Sequence, residues 1–208
     1  MIRIAPALLS AVVAFTVAAT HHHRVSEPTL ALTVSPVAPP ANPPAPSTKK
    51  GAPRIVETKV GEKARFTSPD TTAGPDVEFA VTKITVDGRC TEQFSEKAGN
   101  GHYVFVEISA ETAPTMSSVF ATGLMNPLDF AVVGPDGITT TGHALATDRT
   151  FGCLSHTRQF PVVALAPGRK YTGTIVLDSP VIHGHVVLVP TGGIIEADGW
   201  AWQLGEAA

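Results

Sequence analysis

From Arg54 onward the chain alternates apolar and polar residues at period two, which predicts strands and leaves no stretch with a convincing helical stripe. Val77, Phe79 and Val81 share one face, and the apolar set resumes at Ile84 and Val86 one residue out of phase. A bulge near Thr82-Lys83 would absorb that slip. Asp87-Gly88 then signals a turn. His102 to Ala110 is the next strand, with Val104, Val106 and Ile108 on one face and Tyr103 and Phe105 on the other, the pattern of a strand that is central or covered on both sides. Leu128 to Val133 alternates again and runs through Gly134-Pro135-Asp136-Gly137 into Ile138 to His143. Phe160 to Leu165 and Tyr171 to Leu177 flank Pro167-Gly168, His183 to Val189 is rich in β-branched residues, and Trp200, Trp202 and Leu204 close the pattern. Ala110 to Leu128 reads as a loop, although Met116, Phe120 and Leu124 also suit one helical turn or an inter-sheet crossover. Short strands with turn punctuation predict an all-β, antiparallel, immunoglobulin-like sandwich.

The segments before Arg54 have a different character. Met1 to Ala19 carries one cation, Arg3, then an apolar run from Ile4 that ends in Val17-Ala18-Ala19, the layout of a secretory signal peptide cut after Ala19. An uncleaved membrane anchor is the alternative, and the run is just short of the roughly 17 to 25 residues of a usual span. Thr20 to Pro53 has no periodicity, and seven of the eighteen residues from Pro36 to Pro53 are proline. Such a stretch predicts a disordered, Pro-rich tether. The expected division is therefore a signal peptide over 1–19, a linker over 20–53 and a folded domain over 54–208, located outside the cytoplasm as a secreted or cell-envelope-associated chain. His21-His22-His23 at the mature N-terminus would bind divalent metals only weakly.

Of the 208 residues 16% are charged and the net charge is −3, but the domain over 54–208 has eleven Lys and Arg against seventeen Asp and Glu, a balance of −6. No cluster of cations is present, which excludes a nucleic-acid partner. With a domain this acidic, a membrane role would depend on the N-terminal segment being left uncleaved.

The segment from Gly101 to Ile108, taken with Leu165-Ala166-Pro167-Gly168 and the strand that runs from Tyr171 to Asp178-Ser179-Pro180, resembles a family of secreted immunoglobulin-like domains of unknown function common in actinobacteria. That family is similar in fold to a small secreted mycobacterial antigen. The resemblance spans roughly Val56 to Leu204 and implies a signal peptide, a low-complexity spacer and one β-sandwich. The family has no established catalytic residues, so it implies none here. Cys90, Cys153 and an insertion-like stretch from Thr141 to Gly152 depart from its pattern.

Two cysteines in an exported chain imply one disulfide, Cys90 to Cys153. Both lie in turn-rich sequence beside Gly88 and Gly152, and no Trp lies between them. This predicts a staple between loops in place of the core bridge of antibody domains. A thiol pair that binds metal with His156 or His102 is the competing reading. His183-Gly184-His185 is the sharpest remaining chemical feature: on a strand, residues i and i+2 project from one face, so both imidazoles would reach one copper or zinc ion, completed by His102 or His143, with Met116 and Met125 as soft ligands. The opposing reading leaves His183 at a strand end and packs His185 among valines.

Enzyme signatures are missing. Ser155 and His156 are sequence neighbours and do not form a nucleophile and base pair, no Gly-x-Ser-x-Gly elbow or phosphate loop occurs, and Glu107 with Glu111 read as solvated charges. The sequence thus predicts a non-catalytic binding or interaction module without a cofactor, whose partner is an envelope or extracellular protein or polymer, with the loops around Cys90 and Cys153 as its working surface.

Overall fold

A computed structural model describes residues 54–68, 74–120, 124–161, 165–190 and 199–205. The segments expected to be a signal peptide and a tether lie outside the described residues. Among the described residues nine strands are present: β1 (Ile55–Glu57), β2 (Lys63–Phe66), β3 (Val77–Val86), β4 (His102–Thr112), β5 (Phe130–Val133), β6 (Thr139–Thr141), β7 (Lys170–Ser179), β8 (Gly184–Leu188) and β9 (Gly199–Leu204). They form a five-stranded sheet in the order β1-β9-β8-β5-β6 and a four-stranded sheet in the order β2-β3-β4-β7. The two pack face to face as a β-sandwich.

The long strands of the four-stranded sheet follow the sequence pattern closely. Val77, Phe79 and Val81 point inward, and the register between β3 and β4 shifts between Val81 and Lys83. The bulge leaves Thr82 without a Cα partner and returns Ile84 and Val86 to the core side, so the two apolar sets that are out of phase in sequence share one face in space. Facing them across the core are Trp200, Trp202 and Leu204 of β9 and Val186 and Leu188 of β8, all buried. Phe79 is the centre of an aromatic group, with its ring centroid 5.0 Å from Phe66, 5.2 Å from Trp200 and 6.4 Å from Trp202. The Phe66 contact is stacked and the two Trp contacts are edge-to-face, geometries that add to the stabilisation from area burial.

Four features refine or depart from the sequence expectation. The sandwich is not wholly antiparallel, because β1 pairs parallel with β9 and Gln159 makes a parallel bridge to Thr174. Of the strand expected over Phe160 to Leu165, residues 162–164 lie outside the described residues; at its start Phe160 N–H donates to Thr174 O and Thr174 N–H to Arg158 O, which covers the free edge of β7 over a single register step. The strand expected to reach His143 stops at Thr141, where the chain enters two four-residue helices, α1 (Gly142–Leu145) and α2 (Asp148–Phe151). These occupy the insertion-like stretch. Finally, Ala110 to Leu128 is in part strand and in part core filler: β4 continues to Thr112, and Met116, Phe120 and Leu124 are buried as the chain crosses between sheets. Asp76, also buried, anchors that crossing by accepting hydrogen bonds from Ser68 N–H at 2.8 Å and Ser117 N–H at 2.7 Å.

Candidate functional site

The outer face of the four-stranded sheet changes character along its length. At one end the register aligns Tyr103 with Asp178 and Phe105 with Val176, and further along it aligns Ser109 with Thr172 and Glu111 with Lys170. The first end is covered and the second is bare. Tyr103, Phe105 and Val176 are buried together with Cys153 and Leu154 in a second hydrophobic cluster, separate from the core between the sheets, against which Cys90 and Ala98 pack. β4 is therefore covered on both faces over its first half, where Tyr103 and Phe105 lie.

The cover consists of two loops. One leaves β3 at Asp87 and returns at Gly101; the other runs from α2 through Cys153 to Gln159. Cys90 and Cys153 form the disulfide that joins them, with Cα atoms 4.5 Å apart and a sequence separation of 63. This is the expected loop-to-loop staple, and it lies on the outer face of the sheet, away from the core between the sheets. A reading in which these thiols bind metal with His156 or His102 does not apply, since both sulfurs are bonded. Thr91 N–H donates to Cys153 O at 2.9 Å, so main-chain contact reinforces the bridge. Gly88 is required at the base of the loop, because a Cβ there would lie 2.3 Å from the Phe105 ring. Asp87 takes a left-handed φ of 54°, and its carboxylate accepts from His102 Nδ1–H at 2.8 Å.

Asp178 is the residue that sequence reasoning missed. It is fully buried near the end of β7, and a buried carboxylate needs partners. It accepts from Gly99 N–H at 2.8 Å, Asn100 N–H at 2.8 Å and the Thr147 hydroxyl at 3.0 Å, so one side chain ties the first loop to the approach of α2. Asn100 extends the tie, its amide donating to Ala144 O at 2.7 Å and Asp178 O at 2.8 Å. Arg149 on α2 meets Glu96 at 3.3 Å and donates to Lys97 O at 3.1 Å. The Tyr103 hydroxyl donates to Glu96 O at 3.1 Å, and burial, aided by the Asp178 charge, raises its pKa above the ordinary value. The available signal was an acidic residue inside the apolar strand Ile175-Val176-Leu177-Asp178, a position a solvated charge does not take.

The histidine pair is arranged differently from the expectation. β8 begins at Gly184, whose φ of +121° turns the chain between the two residues, so His183 precedes the paired register and the i, i+2 alternation does not run through it. His185 lies within β8 opposite Val133 and Gln203, whereas His102 is engaged with Asp87 and His143 lies on α1. Met116 and Met125 are buried in the core. Among the described residues no group of three or more His, Cys, Asp or Glu is placed to hold a metal ion.

The chain matches no family model and no curated protein. Its fold is similar to those of a secreted protein of Mycobacterium tuberculosis, MPT63 (TM-score 0.41, 14% identity, 72% of this chain and 97% of that one), and of the yjhA protein of Bacillus subtilis (TM-score 0.39, 13% identity, 71% and 98%). An uncharacterized beta-sandwich protein of Clostridium difficile 630 is also similar, with a TM-score of 0.42 and 12% identity over 76% of this chain and 100% of that one. The sandwich assignment rests on the two sheets described above.

Proposed function

We propose that the chain is an exported, immunoglobulin-like binding module, secreted or retained at the cell envelope, and that the stapled loops form the surface that meets its partner. The observation that carries this reading is the double fastening of those loops by Cys90–Cys153 and by Asp178. Loops fastened in this way lose little conformational entropy on binding, which is the benefit of pre-organisation. Their groups are also engaged with one another: Asp178 with main-chain donors, Glu96 with Arg149, Asp87 with His102. That arrangement supports presentation of a fixed surface over turnover of a substrate. Export is supported by the Met1 to Ala19 pattern and by the cysteine pairing, since structural disulfides persist in oxidising compartments.

The test combines fractionation with binding. The full chain is expected outside the cytoplasm, oxidised at Cys90 and Cys153. Titration calorimetry against surface proteins and envelope polymers of the same cell is expected to find a partner whose affinity falls at least about tenfold in the Cys90→Ser/Cys153→Ser variant, a loss equivalent to about 1.4 kcal/mol. A chain retained in the cytoplasm with free thiols would overturn the export reading. Binding unaffected by the double substitution would overturn the assignment of the surface.

A further inference from the structure

Resting on the stapled loops as a binding surface, we propose that the open cleft beside the disulfide takes a short acidic peptide segment of a partner protein, its carboxylates held by Arg89 and Lys97. The cleft has a volume of about 390 Å³, and its lining includes Asp87, Arg89, Ser95, Glu96, Lys97 and Tyr103. Both acids in that lining are already matched, Asp87 with His102 at 2.8 Å and Glu96 with Arg149 at 3.3 Å. The Tyr103 hydroxyl is held by Glu96 O and Arg149 O. Arg89 and Lys97 are exposed, and the side chain of neither has an ion-pair or hydrogen-bond partner among the described residues. Counting Arg149 with the lining, three cations stand against two carboxylates at the cleft, on a domain whose overall balance is −6.

The ligand chemistry follows from these groups. An Arg fork matches a carboxylate with two parallel hydrogen bonds, and a Lys supplies a second, mobile charge. Phe94, immediately before Ser95, is 89% exposed on a turn closed by Ser95 N–H to Glu92 O at 3.2 Å. Neither it nor Glu92 lines the cleft. A short segment brings its carboxylates within contact of the two cations, whereas an anionic bilayer or long polyanion extends its field beyond the Debye length of about 8 Å and meets the repulsion of the whole acidic domain.

Isotope-labelled full chain is titrated with a blocked decapeptide of glutamate and leucine, with its glutamine counterpart, and with vesicles of phosphatidylglycerol. The glutamate peptide is expected to shift the amides of Arg89, Ser95, Lys97 and Gly101, less so in high salt, and the glutamine peptide to leave them in place. Arg89→Gln/Lys97→Gln is expected to weaken the response at least about fivefold with an unchanged melting temperature, since both side chains are exposed. An equal response to the glutamine peptide, or a response that survives the double substitution, overturns the proposal. Tighter binding to the vesicles overturns it in favour of a membrane surface. If the titration fails while the cysteine double variant still loses its cellular partner, only the acidic-peptide assignment falls; if neither effect is seen, the binding-surface reading falls with it.

Discussion

Alternate residues of one strand belong to two regions that are held together in different ways. Val104, Val106 and Ile108 of β4 enter the core between the sheets, where they join Phe66, Phe79, Trp200 and Trp202. Tyr103 and Phe105 enter the smaller outer cluster with Cys153, Leu154 and Val176. The inner region is closed by apolar area alone, at roughly 25 cal/mol per Å² removed from water. The outer one has too few apolar side chains for that, and a covalent bridge, a buried carboxylate and an arginine hold its loops in place. Irregular loops can therefore be fixed on a sheet without a second sheet to cover it, and their surface residues stay free to meet a partner.

The largest expected effect lies in the inner region. Phe79→Ala removes the ring that touches Phe66, Trp200 and Trp202 and should cost about 3–5 kcal/mol, read as a shift of the whole urea unfolding transition. The outer region should respond differently to loss of its bridge. Cys90→Ser/Cys153→Ser frees a loop of 63 residues in the unfolded chain, a change of about 4 kcal/mol at most in the chain-entropy picture. Amide exchange is expected to rise first in the loops at 88–101 and 151–159, with β3 and β9 still protected. Equal acceleration in β3 and β9 would show that the two regions are one cooperative unit and break the comparison.

The inner region was legible in the sequence because burial on one face leaves a period-two signature that survives a bulge, as in Val77 to Val86. Short elements left no such signature. β1 and β2 are three and four residues long, and β1 is defined by its parallel partner β9, which lies far along the chain. Met116, Phe120 and Leu124 are buried where the chain crosses between the sheets; their spacing of four suits a helical turn, and a 3-10 turn over Ser118–Phe120 lies among them, too short to leave a decisive pattern. The disulfide was legible from the cysteine count and the inferred compartment. Asp178 and its donors were not: Gly99, Asn100 and Thr147 meet it through loop geometry that no local pattern encodes. For His183-Gly184-His185 the period-two rule does not run through both residues, because β8 begins at Gly184, a glycine with positive φ.

The smallest effect is expected on the bare half of the same outer face, where Glu78 of β3 pairs with Lys63 and with Arg65, the latter at 3.2 Å. The Lys63 hydrogen bond, together with the charge of both cations, holds the Glu78 carboxyl below its ordinary value of 4.5, against a smaller opposing contribution from burial. A carboxyl whose pKa is depressed by folding contributes stability that is fully present above the unfolded value and is lost as pH falls through the folded one. Wild type should therefore exceed Glu78→Gln in stability at pH 7, by less than about 1 kcal/mol for a pair so near solvent, and the difference should vanish in acid well below pH 4.5. Melting temperatures of the two proteins across that range measure it. A substitution effect on Glu78 as large as that of removing the disulfide would mean that surface charge, and not the fastened loops, determines how the outer face of this sheet is held.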